Sequence, residues 1–179
     1  MSYFIHFNNP EVVVDITGID NLAVSPAEIT ADEIDVNICR ETFTLDKIYS
    51  TIEECSFYIY KRNVSGMITG LMTITDYPAT VGHLMEITFI CVSLVEAGGR
   101  IGTVLLDKLK QVTRRYDLPI TLYGLGTSPD SRKLYGYNGF TENKFTVSRG
   151  KKRKTKRKGK GKRTSKRKRK ERRFELVIS

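Results

Sequence analysis

Leu84-Met-Glu-Ile-Thr-Phe-Ile-Cys-Val92, followed closely by Ala97-Gly-Gly-Arg-Ile-Gly102, forms the stretch on which the fold of this chain depends. The first run is rich in β-branched and aromatic residues, which predicts a strand. The glycines of the second run predict a tight turn. A helix is then predicted to about Tyr116, because apolar residues recur on one face: Ile101, Leu105, Leu106, Leu109 and Val112. Strand, turn and helix in this order are typical of the first half of a parallel βαβ unit.

The residues after this helix complete the unit. Residues 120–125 are apolar and β-branched and predict the second parallel strand. Ser128 and Pro129 predict the start of a further helix, because serine caps helices and proline suits their first position. Two final strands are predicted at residues 140–148 and 173–178.

The N-terminal half predicts a more varied order of elements. The β-branched run 11–16 predicts a strand. Ser25-Pro26-Ala27-Glu28 predicts a capped helix start, which a rough apolar stripe follows: Ile29, Ile34 and Ile38. A second helix is predicted at 45–54, with Ile48 and Ile52 on one face. A hairpin comes next, with strands predicted at 56–61 and 67–75 and a break at 76–79.

Together these elements predict a single α/β domain, a mixed sheet with a central parallel βαβ unit flanked by helices. We assign residues 1–148 and 173–179 to this domain. Residues 149–172 are predicted to be a disordered Lys/Arg-rich loop inserted before the last strand, since they contain no apolar side chain that could enter a core.

The glycine turn is also a candidate binding site for phosphate groups. The first turn of a helix carries free N–H groups and the positive end of the helix dipole, and glycines let a ligand approach the backbone. The turn has neither the Gly-Lys-Ser/Thr of a P-loop nor the Gly-x-Gly-x-x-Gly of dinucleotide folds. An ordinary tight connection between a strand and a helix is the alternative interpretation.

The order of motifs resembles the GNAT family, the general-control-related N-acetyltransferases, over roughly residues 56–148. The matching parts are Glu86-Ile-Thr-Phe-Ile-Cys-Val92, Ala97-Gly-Gly-Arg-Ile-Gly102, Leu105-Leu106 and Leu134-Tyr-Gly-Tyr-Asn-Gly-Phe140. The chain departs from the family at Ala97, where an Arg or Gln is usual, and at Arg100, which replaces the first glycine of the turn. These departures concern contacts to pyrophosphate more than the fold.

The resemblance implies acetyl-CoA as co-substrate, with no metal. Pantetheine would pair with the strand before the turn, here Ile90, Cys91 and Val92. The pyrophosphate would rest on the turn and the first helical turn, here Gly98, Gly99, Arg100, Ile101, Gly102 and Thr103. The implied reaction is direct attack of a primary amine, either a protein lysine or a small amine, on the thioester.

Two residues are candidates for proton transfer in such a reaction. Glu86 is the candidate general base, because a carboxylate in an apolar strand is costly to bury unless it is paired or functional. Alternation along the strand predicts that it shares a face with Thr88 and Ile90. The resemblance implies that Tyr135 is the general acid for the leaving thiolate. The alternative interpretation of Glu86 is a side chain that faces water, and that of Tyr135 is an aromatic residue of the core. His83, just before the strand, is a weaker candidate for assisting proton removal.

Charge divides the chain into two parts. Of 30 Lys and Arg residues, 18 lie between Arg149 and Arg173 with one acid, so this segment carries +17; the other 12 basic and 19 acidic residues carry −7. Three interpretations of the basic segment remain open: sequence-independent contact with nucleic acid, a nuclear or nucleolar localisation signal, and a solvated loop. A catalytically weak GNAT-fold protein that binds nucleic acid through this segment is therefore the alternative to an enzyme.

The cysteines and the apolar stretches of the sequence bear on the cellular compartment of the protein. The three cysteines, Cys39, Cys55 and Cys91, match no metal or disulfide framework and are expected to be free thiols. No signal peptide and no apolar stretch of membrane-spanning length is recognised in the sequence. We therefore expect an intracellular protein without a membrane partner, nuclear or nucleolar if the host is eukaryotic or viral.

Overall fold

The computed structural model of this protein describes residues 2–35, 37–38, 43–79, 82–96, 100–126, 128–143 and 172–178. These residues form one eight-stranded sheet and three α-helices. The strands are β1 Tyr3–Phe7, β2 Leu22–Val24, β3 Phe57–Arg62, β4 Ile68–Ala79, β5 Gly82–Val92, β6 Ile120–Gly126, β7 Thr141–Asn143 and β8 Arg172–Ile178. The helices are α1 Leu45–Glu54, α2 Ile101–Thr113 and α3 Pro129–Tyr137.

The sheet has the strand order β2-β1-β3-β4-β5-β6-β8-β7. At its centre β5 and β6 run parallel, with α2 as the crossover between them, which confirms the predicted βαβ unit. The pairs β3–β4, β4–β5, β6–β8 and β7–β8 are antiparallel. The sheet is therefore mixed, as the sequence predicts.

Helices cover both faces of this sheet. We call the face that α1 covers the front face and the face that α2 and α3 cover the back face. The front core holds Ile48 and Ile52 of α1 against strand residues such as Tyr58 and Phe89. The back core holds the apolar stripe of α2 and also Tyr135 of α3. The predicted stripe is confirmed, because these five residues are all buried: Ile101, Leu105, Leu106, Leu109 and Val112.

The N-terminal predictions are wrong in two places. Residues 11–16 form no strand; a 3₁₀ turn covers Pro10–Val12, and Val12 and Ile16 enter the back core as loop residues. The strand that pairs with β3 in this part of the sheet is β1, which precedes these residues in sequence. The run is short enough that packing of two side chains overrides its strand propensity.

The helix predicted from Ser25 is likewise absent. The hydroxyl of Ser25 donates to Ala27 O (2.5 Å) and lies 2.8 Å from the hydroxyl of Tyr60, so it is not available as a helix cap. A 3₁₀ turn forms instead at Ala31–Glu33, where Thr30 and Glu33 make the capping box. The three apolar residues of the predicted stripe are nevertheless buried in the front core: Ile29, Ile34 and Ile38.

Strand β4 continues through the break predicted at 76–79. Asp76 remains in the sheet because its polar groups are satisfied there: its N–H donates to Ser56 Oγ (2.9 Å), and its carboxylate pairs with His83 Nδ1 (2.9 Å). A polar residue that finds such partners costs little inside a strand.

The C-terminal elements confirm their predictions within the described residues. The side chain of Ser128 accepts from Ser131 N at the start of α3, and Pro129 is its first residue. Strand β7 covers Thr141–Asn143 of the strand predicted at 140–148; residues 144–148 lie outside the described part of the chain, as do 149–171. Strand β8 pairs with both β6 and β7 and so belongs to the same sheet.

Candidate active site

The two central parallel strands separate toward their C-terminal ends. Their pairing runs from His83 with Ile120 to Ile87 with Gly124 and stops there. Beyond this point β5 remains paired with β4, whereas the last two residues of β6 pair with β8. Among the described residues, the backbone of β5 after Ile87 therefore has no strand beside it on the β6 side, and a cleft opens between the two strands.

A β-bulge lies where the cleft begins. Ile87 is opposite Ile74 of β4 but Phe89 is opposite Thr73, so Thr88 is an extra residue with no Cα partner on β4, although its hydroxyl donates to Thr73 O (3.2 Å). A bulge shifts the alternation of side chains by one position. Ile87 thus packs in the back core, Phe89 in the front core and Ile90 against the back core. The expectation that Glu86 and Ile90 share a face is wrong for this reason.

Glu86 is on the front face and accepts hydrogen bonds from two phenols. Tyr123 Oη of β6 lies 2.9 Å from Glu86 Oε2, and Tyr77 Oη of β4 lies 3.3 Å from the same oxygen. The carboxylate is half-buried, so it is neither a core residue nor fully solvated. Both tyrosines were missed by the sequence analysis, because they join Glu86 only through the pairing of three strands.

Both phenols remain proton donors over the neutral range. Burial raises the pKa of Tyr123 well above its ordinary value, and the hydrogen bond to Glu86 raises it further. The pKa of Tyr77 is raised by burial and then by the charge of Glu86. The guanidinium of Arg173 lies 4.2 Å from the centre of the Tyr123 ring and acts on the pKa of Tyr123 in the opposite direction.

Tyr135 lies on the back face, beside the same pair of strands. It is 2% exposed and stacks with Phe174 at a ring distance of 5.5 Å. Its ring rests on Gly124, the last residue of β6 that pairs with β5. Burial, and to a lesser extent the charge of Glu86, raise the pKa of Tyr135. No residue in the described part of the chain hydrogen-bonds its hydroxyl.

Only part of the glycine turn is described. Gly98 and Gly99 lie outside the described residues, whereas Arg100, Ile101, Gly102 and Thr103 are at the start of α2. Arg100 is exposed and has left-handed backbone angles (φ 57°, ψ 15°). A side chain in this region is strained, and glycine would relieve that strain. The arginine that stands at residue 100 in place of the family's glycine therefore also carries a conformational cost.

Gly102 has a packing role. A Cβ atom there would meet the Leu134 side chain at 3.3 Å, so the missing side chain lets α2 approach α3 closely. The chain just before the turn is held by two polar contacts that the sequence analysis also missed. The ammonium of Lys61, 3% exposed, pairs with Glu96, and Ser93 Oγ donates to Asp35 Oδ2 (2.7 Å).

The other candidates from sequence have different surroundings. His83 lies two residues before Met85 on β5, so it shares the back face with Met85 and faces away from Glu86. It pairs with Asp76. Cys55 is a free, buried thiol whose pKa burial raises to about 12. Cys91 is disulfide-bonded, so the expectation of free thiols is wrong for this residue.

A shallow cavity of about 240 Å³ opens on the front face, between α1 and strands β4 and β5. Its lining is Phe43, Lys47, Thr51, Glu54, Thr75, Thr88 and Phe89. Thr75 is the β4 partner of Glu86, so the cavity adjoins the carboxylate. Among the residues that the structure describes, no cluster of three or more His, Cys, Asp or Glu could hold a metal, and no helix is long and apolar enough to span a membrane.

Comparisons with known proteins identify this architecture. No family model and no curated relative matches the sequence. Many solved structures match the fold. The NatB acetyltransferase complex bound to CoA and MES has a TM-score of 0.55 at 14% identity, with 86% of this chain and 97% of that chain covered.

Two further structures differ in their acceptors. A GNAT superfamily phosphinothricin acetyltransferase from Sinorhizobium meliloti, in complex with AcCoA, has a TM-score of 0.51 at 13% identity and covers 76% of this chain and 71% of its own. The GCN5-related glucosamine N-acetyltransferase region of a fungal multi-domain GH3 enzyme has a TM-score of 0.50 at 16% identity. This match covers 69% of our chain but only 19% of the longer fungal chain. The chain described here has the fold of the GNAT N-acetyltransferases.

Proposed function

We propose that this protein is an acetyl-CoA-dependent N-acetyltransferase that transfers acetyl directly to a primary amine. The observation that carries this proposal is the position of two candidate groups on either side of one strand cleft. Glu86 is on the front face and Tyr135 on the back face, both beside the end of the β5–β6 pairing. In this arrangement one face delivers the amine and the other receives the leaving thiolate.

The cleft has the groups that acetyl-CoA requires. After Ile87, β5 stays paired with β4, but its pairing with β6 has ended, and we assign the amides of pantetheine to this β6-side edge of Ile90, Cys91 and Val92. The N-terminus of the 13-residue α2 offers free N–H groups for pyrophosphate, and the exposed Arg100 adds a positive charge there. We assign cofactor binding to these residues and to the turn that includes Gly98 and Gly99.

The proposed chemistry uses one proton acceptor and one donor. Glu86 removes a proton from the ammonium of the acceptor, directly or through water, because only the free amine has a lone pair for attack. The amine nitrogen forms a bond to the acetyl carbon as the carbon–sulfur bond breaks, and the second proton of this nitrogen passes through water to the phenolate that Tyr135 becomes when it protonates the sulfur. Tyr135 donates its proton to the sulfur; its raised pKa keeps that proton in place until the thiolate forms.

The acceptor is proposed to enter over the front face, through the cavity that adjoins Glu86. This cavity contains one cationic and one anionic side chain, Lys47 and Glu54, together with threonine hydroxyls. The two relatives whose names state an acceptor act on different amines, so the fold does not specify one. A protein lysine and a small amine are both compatible with this opening. The basic segment favours an acceptor associated with nucleic acid.

Acetyl-CoA turnover with a panel of lysine peptides and small amines tests the proposal. We expect release of CoA with at least one acceptor, and a loss of roughly a hundredfold or more in kcat on Glu86→Gln or Tyr135→Phe. Val64→Ala is the control variant, because Val64 is 99% exposed at a hairpin turn distant from Glu86 in sequence and sheet. Absence of turnover, with no thermal stabilisation by acetyl-CoA, would contradict the proposal.

A second function is favoured by the charge of the basic segment. With 18 Lys and Arg among 25 residues between 149 and 173, this segment matches the phosphate-binding chemistry of a non-specific nucleic-acid tether. It also fits a nuclear or nucleolar address in a eukaryotic or viral host. Deletion of residues 150–170, which leaves all of β8 in place, is expected to abolish a steeply salt-dependent affinity for duplex DNA or RNA. Equal affinity with and without the deletion would exclude the tether.

A further inference from the structure

The geometry points to Tyr123 as the positioning residue of the catalytic base: its phenol holds Glu86 so that one carboxylate oxygen is fixed and the other is left for the acceptor. This inference rests on the proposed function of Glu86. It adds a residue outside the motifs that suggested the activity. Three observations support it, and they concern register, the choice of oxygen and the support of the ring.

Register brings the two residues together. Glu86 of β5 and Tyr123 of β6 are Cα partners in the parallel pair, one position before this pairing ends. Their side chains are on the front face, because the neighbours Leu122 and Gly124 face the back core and Tyr135. Tyr123 is therefore a rigid strand residue beside the base, at the point where the cleft opens.

Both phenols bind the same oxygen of the carboxylate. Tyr123 donates to Oε2 at 2.9 Å and Tyr77 to Oε2 at 3.3 Å. Oε1 accepts no hydrogen bond from any residue in the described ranges. Two donors on one oxygen restrict rotation of the carboxylate and leave the other oxygen, with its lone pairs, directed to an incoming ammonium or water.

The ring of Tyr123 is itself held from the far side. Arg173 of β8 places its guanidinium 4.2 Å from the ring centre, within the range of a cation–π contact. Tyr77 has no such support among the described residues and is 44% exposed. Tyr123 is thus the better ordered of the two donors, and Tyr77 offers a matched comparison with the same group and the same acceptor.

Removal of one oxygen atom tests the inference. Tyr123→Phe keeps the ring and its contact with Arg173 but removes the donor. We expect kcat to fall roughly tenfold, which corresponds to one lost hydrogen bond to a charged group, while KM for acetyl-CoA stays the same. Tyr77→Phe should produce a smaller change of the same kind.

A second measurement does not depend on activity. The carboxyl carbon of Glu86 can be followed by NMR in protein with isotopically labelled glutamate, with its signal assigned through Glu86→Gln. We expect its signal at neutral pH to shift in Tyr123→Phe and to shift less in Tyr77→Phe, because the carboxylate loses a hydrogen-bond donor. A purely structural role of Tyr123 would lower thermal stability without moving this signal.

The outcomes distinguish the inference from the proposed function. An unchanged carboxyl signal and an unchanged kcat in Tyr123→Phe would overturn the role of Tyr123, even if Glu86→Gln abolishes turnover. A shifted signal in a protein whose turnover is unaffected by Glu86→Gln would overturn the assignment of Glu86 as base, and the role of Tyr123 in the reaction with it. A shifted signal together with the tenfold loss supports both.

Discussion

The phenol of Tyr135 lies against the backbone of Gly124, so closely that a Cβ atom at residue 124 would stand 2.5 Å from its hydroxyl oxygen. This contact joins α3 to β6 at the residue where the pairing of the two central strands ends. It places the candidate acid beside the cleft. The position of this tyrosine thus depends on a glycine in another element.

Gly124→Ala is expected to displace Tyr135. Real Cβ atoms do not tolerate a 2.5 Å contact, so the ring must move, at a cost of about 1 to 3 kcal/mol in unfolding free energy. Acetyl transfer should fall together with stability, as measured by CoA release and urea unfolding. Gly136→Ala is the matched control, because a Cβ there has no neighbour within 4 Å and should stabilise the helix by about 0.5 to 1 kcal/mol. Normal activity in Gly124→Ala would argue against Tyr135 as the acid.

Tyr135→Phe should separate catalysis from stability. No residue in the described part of the chain hydrogen-bonds the Tyr135 hydroxyl, so its removal leaves no protein group without a partner. Stability should therefore change by less than about 1 kcal/mol, whereas kcat should fall by roughly two orders of magnitude. Rescue of kcat with an acyl donor whose thiol leaves more readily, such as an aryl thioester, would identify the lost step as protonation of the thiolate. A large loss of stability with unchanged kcat would identify a core aromatic instead.

The protein should lose stability at high pH. Burial raises the pKa of several phenols above the ordinary value of 10.0, among them Tyr58, Tyr116 and Tyr135. Below about pH 10 these groups are protonated in both states; above it the unfolded chain releases the protons that the folded chain retains, so rising pH favours unfolding. Urea unfolding from about pH 8 to about pH 11, with phenolate absorbance recorded in parallel, checks this. Ionisation of all tyrosines before unfolding would contradict it.

Arg100→Gly is expected to change stability and acetyl-CoA binding in opposite directions. Glycine adopts the left-handed angles of residue 100 without strain, which should stabilise the fold by about 1 kcal/mol. It also removes the positive charge at the start of α2, which should raise KM for acetyl-CoA several-fold. Arg100→Ala keeps the strain and removes the charge, so only KM should change. A KM unaffected by either variant would remove Arg100 from the cofactor site.

The pair Lys61–Glu96 should stabilise the segment that leads into the turn. Lys61 is 3% exposed, and Lys61→Met would leave Glu96 without its partner beside a buried surface. Because Glu96 is 25% exposed, we expect a loss toward the low end for buried pairs, about 2 to 3 kcal/mol. In a double-mutant cycle, Lys61→Met combined with Glu96→Gln should recover part of this loss. Additive losses would show that the two charges do not interact.

The predictions from sequence that the structure confirms concern local patterns. The apolar stripe of α2, the cap at Ser128 and the strand formers of β3, β5 and β6 each specify their element within some ten residues. The wrong predictions, a strand at 11–16 and a helix from Ser25, fall where a few side chains decide between alternatives of similar local propensity. There the back core and the hydroxyl of Tyr60 provide the decisive contacts, and both are distant in sequence.

The candidate site divides in the same way. The sequence by itself determined that a strand with Glu86, a glycine turn, a helix and a later Tyr135 follow one another in a βαβ order, because helix and strand periodicity is a local property. Only the tertiary structure decided which groups meet. The bulge at Thr88 separates Glu86 from the face of Ile90, and strand register brings Tyr123 to Glu86 and Gly124 to Tyr135. Since a shift of one residue in register exchanges the two faces of a strand, no local pattern specifies these contacts.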